Sequence, residues 1–313
     1  MGDGTRQEHL HRSVLLEEVM DFLSLRPGGV YVDGTMGLGG HSQAILRRTA
    51  PDGRLIAFEW DERAIALSRE RLQEFAGRLT IIRRNFSEIS AGLSEIGVSG
   101  VDGILIDIGL SSLQLDQGER GFSFQRDEPL DMRMDTRREV TAASIIASST
   151  EQELADIFYY YGEEQQARPI AAHIVKARRE KEITTSAQLA ALAVQAVPRR
   201  FHPKRIHMAT KIFQALRIAV NTELENLSTI LDEAVPLLKP GARFCVISFH
   251  SLEDRVVKRK FNKNEFLRVV TPKPVIPAAD EIAGNPRSRS ARLRVAEKIG
   301  VEIGVKKGVT EGK

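Results

Sequence analysis

The stretch VYVDGTMGLGGHS, residues 30–42, decides how this chain is read. It opens with Val30, Tyr31 and Val32, a short β-prone run. Asp33 ends that run, four glycines follow within the next seven residues, and a helical pattern takes over at Ser42. A glycine-rich turn between a strand and a helix lets backbone N–H groups and the helix N-terminus come close to a ligand. The dinucleotide fingerprint G-x-G-x-x-G finds Gly37 and Gly39 here, but its third position is Ser42 and Gly40 is extra. By itself the segment predicts a ligand-binding turn of an α/β sheet, and a plain strand-to-helix turn is the competing reading.

Working outward, strand and helix patterns alternate. Residues 14–23 read as an amphipathic helix closed by the turn signal Arg26-Pro27-Gly28-Gly29. Strands are expected at 30–33, 54–59, 79–83 and 103–108, with helices at 42–48 and 63–75. The last of these strands is apolar up to Asp107, as a strand covered on both faces should be. This β-α-β-α-β rhythm predicts an open, mostly parallel sheet with helices on both sides.

From about 116 to 207 no strong strand signal occurs. Thr150-x-x-Glu153 and Thr185-x-x-Gln188 are capping boxes that open two helices, with another expected over 165–181. The sheet pattern then resumes. Residues 209–238 read as one long helix, Lys239-Pro240-Gly241 as a turn, 243–249 as a buried strand, and 266–271 with 291–297 as a final strand pair. The domain organisation expected is therefore a sheet domain over 1–115 and 208–313, with an all-helical insertion at 116–207. From Gly304 onward the chain is Lys- and Gly-rich and expected to fray.

Several carboxylates fall where such sheets bind ligands. Glu59 ends the second strand 20 residues after Gly39, placed to accept hydrogen bonds from ribose hydroxyls, and Asp61 could cap the next helix instead. These features point to a ribose-containing cofactor without separating NAD from S-adenosylmethionine. Asp107 ends the fourth strand, where an ionisable group needs a partner, with a helix cap as the alternative. His250, in Ile247-Ser248-Phe249-His250, follows the next strand and is a further site candidate beside a structural reading.

Other chemistries find little support. No His/Cys/Asp spacing suggests zinc, and no metal is expected. No G-x-S-x-G elbow is present for a hydrolase triad. Cys245, the single cysteine, lies in an apolar strand and reads as a small buried hydrophobe. The polar start and the lack of a long apolar run predict neither a signal peptide nor a membrane span, and fit a soluble cytoplasmic protein.

Net charge is only +3, yet residues 198–220 contain no acid while carrying Arg199, Arg200, Lys204, Arg205, Lys211 and Arg217. A second basic stretch covers 255–298, where Arg287, Arg289, Arg292 and Arg294 are candidate phosphate contacts. Two such runs suit a polyanionic partner.

Longer words in the chain carry a more specific resemblance. His11-x-x-Val14-Leu15-Leu16-x-Glu18, DGTMGLGGHS from Asp33, DGILIDIGLSS from Asp102 and ERGFSFQRDEPLDMRMD from Glu119 come first. YGEE from Tyr161, FQALRIAVNTEL from Phe213, ISFHSLEDR from Ile247 and NPRSRSARLR from Asn285 follow. Together and in this order they resemble the ribosomal small-subunit methyltransferase H family, which methylates N4 of a cytidine in the decoding region of 16S rRNA.

The resemblance implies a Rossmann-like, seven-stranded S-adenosylmethionine-dependent methyltransferase sheet with an inserted helical domain that recognises substrate. It implies 16S rRNA, within the small ribosomal subunit, as partner, and it assigns no oligomeric state. Cofactor contacts carry over to Gly39, Gly40, His41, Glu59, Phe86, Asp107 and Gln114. Glu59 stands where the family more often has Asp. Candidates for activating the cytosine amine are Asp107, Ser111 with Ser112, and His250. Three other readings compete: an NAD-dependent oxidoreductase, a non-catalytic RNA-binding assembly factor, and a DNA amino-methyltransferase. The last lacks its Pro-Pro-aromatic word after Asp107.

Overall fold

The computed structural model describes residues 13–109, 120–204 and 206–300. Its first half alternates as the periodicity requires: α1 (Leu16–Phe22), β1 (Val30–Asp33), α2 (Gly40–Arg48), β2 (Arg54–Phe58), α3 (Glu62–Arg71), β3 (Leu79–Ile82), α4 (Ile89–Glu95) and β4 (Val101–Asp107). Helices alone follow: α5 (Ala142–Ser148), α6 (Glu151–Tyr160), α7 (Ala167–Glu180), α8 (Ser186–Gln195), α9 (Thr210–Asn221) and α10 (Glu223–Leu237). The chain then completes the sheet with β5 (Leu238–Ser248), α11 (Ser251–Lys263), β6 (Leu267–Val269), α12 (Ala279–Gly284) and β7 (Arg292–Lys298).

The seven strands form one sheet in the order β3-β2-β1-β4-β5-β7-β6. The first five run parallel, and β7 pairs antiparallel with both β5 and β6. The order reverses between β1 and β4, where Asp33 is level with Leu105. That reversal opens a crevice at the strands' carboxyl ends, the place where open α/β sheets bind ligands. The fold is thus the Rossmann-like α/β architecture expected.

Alternation along the strands divides the sheet core in two. Val32, Ile56, Ile104, Ile106 and Phe244 face one helical layer. Tyr31, Leu55, Leu105, Cys245 and Ile247 face the other. Cys245 is fully buried there, and burial pushes its thiol far above the usual range, so it packs as a hydrophobe. A third core belongs to the helical block and runs from Phe122 to Val220. It includes Ile212, Phe213 and Leu216 of α9, so that helix packs with the block.

Two expectations for 209–241 need correction. The single helix breaks at Thr222, which adopts a left-handed conformation (φ 51°, ψ 44°) between α9 and α10. The neighbouring Asn221 is fully buried. Its amide donates to the Met132 and Arg217 carbonyls, and its side-chain oxygen accepts from the Met134 N–H. A long-range anchor therefore breaks the helix where no glycine marks a break. The expected turn at 239–241 lies instead inside β5, as an irregularity between the Val101–Leu238 and Gly103–Arg243 pairs, with Gly241 at φ 80°. The expected caps at Thr150 and Thr185 are both formed as capping boxes. Helix α5, capped by Thr141, had no sequence signal strong enough to predict it. The stretch from Gly304 lies outside the described residues.

Candidate functional site

The glycine loop is held from below by its own strand ends. Gly34 donates to the Leu105 carbonyl (2.8 Å) and Met36 to the Phe58 carbonyl (3.1 Å), which ties the loop across β4 and β2. Asp33 is buried, and its carboxylate accepts from the Thr35 N–H (3.1 Å) and the Ser42 hydroxyl (2.7 Å). Two glycines are dictated by space. A Cβ on Gly34 would lie 2.3 Å from the Ile106 side chain, and one on Gly40 would lie 2.0 Å from Ser13 Oγ. Gly39, at φ 77°, turns the chain into α2.

Glu59 stands just past β2 and closes onto this loop. One carboxylate oxygen accepts from Gly37 N–H (2.9 Å), the other from the N–H groups of Trp60 and Asp61 (both 2.9 Å). These bonds aim it at the glycine loop and leave lone pairs for further donors. Asp61 does cap α3, accepting from Arg63 N–H (3.0 Å), and its second oxygen takes Arg120 (2.8 Å). Phe86 opens a short turn after β3, and its Cβ lies 3.2 Å from where a Gly34 Cβ would stand. Beside Glu59 and Phe86 a polar cleft of about 280 Å³ is lined by Trp60, Asn85 and Ser87 together with Arg137, Arg138 and Thr222 of the helical side.

Asp107 forms the opposite wall. Its backbone N–H donates to Thr35 Oγ1 (2.7 Å), and its Oδ2 lies 3.7 Å from Nδ1 of His41. Oδ1 is buried without a hydrogen-bond partner among the described residues. Burial, reinforced by the charges of Asp33 and Glu253, pushes this carboxyl up to about 8. Burial likewise raises Glu59 to about 7 and Asp33 to about 6, although their hydrogen bonds pull the other way. Three carboxyl groups short of cations around a glycine cradle are the signature of a ligand site rather than of a scaffold. The orphaned Oδ1 and the cradle that a Cβ would fill fit a ribose-bearing cationic cofactor.

Comparisons with known proteins give the family. The profile of the MraW methylase family matches residues 8–299. A protein of Desulfotalea psychrophila named ribosomal RNA small subunit methyltransferase H is 68% identical over 292 residues, covering 93% of this chain and 99% of its own. Proteins of the same name from Citrifermentans bemidjiense and a Cyanothece strain are 50% and 48% identical, each over more than nine-tenths of both chains. The chain belongs to the MraW methylase family.

With the family known, each expected site residue can be placed. Gly39, Gly40, His41, Glu59, Phe86 and Asp107 converge on the crevice between β1, β2 and β4. Ser111, Ser112 and Gln114 lie outside the described residues. His250 caps α11: its Nδ1 accepts from Glu253 N–H (3.4 Å), and its Nε2 lies 2.9 Å from the Glu253 carboxylate. Nδ1 is thus committed to the cap, whereas Nε2 is buried against the Glu253 carboxylate without a formed hydrogen bond among the described residues. Glu253 and Glu223, the latter forked by Arg217 (2.8 Å twice), meet His250 in one buried cluster.

The basic stretches also divide. Arg294 is buried in a two-pronged pair with Asp254 (2.6 and 3.1 Å), and Arg292 touches the same carboxylate (3.2 Å). Arg294 is thus corrected from phosphate contact to internal ion pair, because a carboxylate already occupies its fork. Arg287 and Arg289 are exposed. In the earlier run Lys211 is tied to the Glu163 carbonyl and Arg217 to Glu223, whereas Arg199, Arg200 and Lys204 face solvent beside Phe201. Trp60 and Asn85 escaped sequence reasoning, although the only tryptophan of the chain, directly after a strand-end acid, was a usable signal.

Proposed function

We propose that this chain is an S-adenosylmethionine-dependent methyltransferase that methylates N4 of a cytidine in the decoding region of 16S rRNA. The observation that carries this reading is the end-to-end identity with a relative named for methylation of small-subunit rRNA. The crevice supports it independently. Bound there, S-adenosylmethionine supplies an activated methyl group; the chain's residues position and desolvate. Gly39, Gly40 and His41 would hold one side of the cofactor, Glu59 would accept from its ribose, Phe86 would lie against its base, and Asp107 would close the far wall.

The cytosine amine is a poor nucleophile because its lone pair is delocalised into the ring. An acceptor on its N–H favours the reactive geometry and takes the proton that must leave. Asp107 Oδ1 and His250 Nε2 are both buried without a formed hydrogen bond among the described residues, but Nε2 lies 2.9 Å from the Glu253 carboxylate, so we assign this role to Asp107. The target base must leave its stack to reach such a depth. The helical block with exposed Arg199, Arg200 and Lys204 holds the surrounding RNA backbone, and Phe201, with the Arg200 guanidinium 4.8 Å over its ring, offers a stacking surface. The substrate is the assembled small subunit in the cytoplasm, and among the described residues no helix is long and apolar enough to cross a membrane.

The deciding experiment uses small subunits from cells lacking this protein, labelled S-adenosylmethionine and mass mapping of the product. A single N4-methylcytidine in the decoding region is expected. Label at another nucleotide, or none, would refute the reading.

A further inference from the structure

The three residues after β2, Glu59-Trp60-Asp61, stand where the sheet meets the helical block. Glu59 closes onto the glycine loop, and the next two residues are held by the block. Trp60 packs against the core of that block, and the Asp61 carboxylate takes Arg120. Arg120 is part of the same block: its carbonyl accepts from the N–H of Met132, a core residue there (2.7 Å). Asp61 does more than a helix cap needs. Its Oδ1 accepts from the Arg63 and Ala64 N–H groups at the start of α3 (3.0 and 3.4 Å), work that serine or asparagine does as well. The second oxygen, on a residue only 6% exposed, accepts from Nη2 of Arg120 at 2.8 Å.

The Arg120 guanidinium is itself fixed from the helical side. Its Nη1 donates to the Arg133 and Met134 carbonyls (3.3 and 3.4 Å), and it lies 5.7 Å over the Phe122 ring. The Met134 N–H is held in turn by Asn221, at the break between α9 and α10. A planar fork serves a carboxylate and two carbonyls at once, which a lysine ammonium does less well. On its other side Asp61 reaches the cofactor acid directly, because its backbone N–H donates to Oε1 of Glu59 (2.9 Å). A shift of Asp61 therefore moves a donor that orients Glu59.

We infer that Arg120 is a positioning residue for the cofactor: through Asp61, the helical block sets the angle at which Glu59 meets the ribose. The inference rests on the methyltransferase reading above and deepens it. Arg120 acts through Asp61 and Glu59 rather than on the reacting atoms. The ion pair suits that task, since both partners are largely buried (side chains 18% and 6% exposed) and solvent screens such a pair less than one on the surface.

The test is calorimetry of S-adenosylmethionine binding to the full chain, with Arg120 intact and as Arg120→Gln, each measured with Glu59 present and in a Glu59→Ala background. Arg120→Gln is expected to weaken binding on the order of tenfold when Glu59 is present, and by less than about twofold when it is not. Arg120→Lys, which keeps the charge and loses the fork, should fall between the wild type and Arg120→Gln. Unchanged affinity in Arg120→Gln overturns the inference. So does an equal loss in both backgrounds, since Arg120 would then support the fold alone. Should the single variant fail to fold because Asp61 is left buried and unpaired, Asp61→Asn combined with Arg120→Gln takes its place, with the same two outcomes, because it buries no unmatched charge. A wild type that binds no S-adenosylmethionine refutes the methyltransferase reading and takes the inference with it, whereas tight binding that is indifferent to Arg120 overturns the inference alone.

Discussion

Two groups of partly or fully buried acids in this protein behave in opposite ways. At the carboxyl ends of β1, β2 and β4, Asp33 and Glu59 have backbone or hydroxyl donors and Asp107 Oδ1 has none. No arginine or lysine among the described residues is bonded to any of them, and burial raises all three. On the helical side, Asp131 and Asp135, and on α11, Asp254, also pay for burial. Each is forked by an arginine, respectively Arg133, Arg137 and Arg294, which holds it below the usual carboxylate range. Asp254 joins α11 to β7, whereas Asp131 and Asp135 each hold a local turn with the arginine two residues on. The uncompensated ones keep a demand for positive charge that a ligand can meet. In this fold the missing counter-ion marks the site better than the presence of acids does.

Breaking a compensated acid should cost the fold most. Asp254→Ala leaves the guanidinium of Arg294 buried without a partner, and a loss of about 3–5 kcal/mol is expected in urea unfolding. A change under about 1 kcal/mol would mean that Arg294 finds water, and the contrast between the groups would weaken.

Removing an uncompensated acid should do the reverse. Asp107→Asn is expected to slow methyl transfer by about 10²–10⁴-fold while leaving the free protein no less stable. Retention of both turnover and cofactor affinity in that variant removes Asp107 from the mechanism.

The smallest effect is a difference in pH response. Groups with raised folded values stabilise fully below their unfolded values and lose that contribution as pH rises. For Asp33, Glu59 and Asp107 the loss runs from about pH 4 through about 6, 7 and 8. The arginine-forked acids act on the other side, giving stability above their unfolded values that is lost as pH falls below about 4. Melting curves of the free protein between pH 5 and 9 should therefore decline, with a shallower decline in Asp107→Asn at the upper end. Parallel curves for the two proteins would show that Asp107 is already ionised at pH 5.

Much of the sheet was readable because its signals are local. The run Val30–Asp33 is a strand with the expected bounds, and the capping boxes at Thr150 and Thr185 fix two helix starts within three residues of sequence. The candidate site was readable as positions rather than as roles. Glu59 and Asp107 sit at strand ends as expected, yet nothing in the sequence told that Glu59 spends its oxygens on Gly37, Trp60 and Asp61. The reading of His250 was open for the same kind of reason. Its capping of α11 through Nδ1 depends on how Glu253, one turn on, folds back, which the sequence alone does not give.

By itself the sequence determined the succession of strands along the chain, the glycine turn and the acids at the ends of β2 and β4. Those follow from side-chain periodicity, backbone freedom and capping, all of which act over a few residues. Tertiary structure decided the break at Thr222, the loss of Arg294 to Asp254 40 residues away, and the meeting of His41 with Asp107. Each of these depends on which charge or amide is buried against which partner. That is a matter of desolvation and distance between segments remote in the chain, on which short-range pattern is silent.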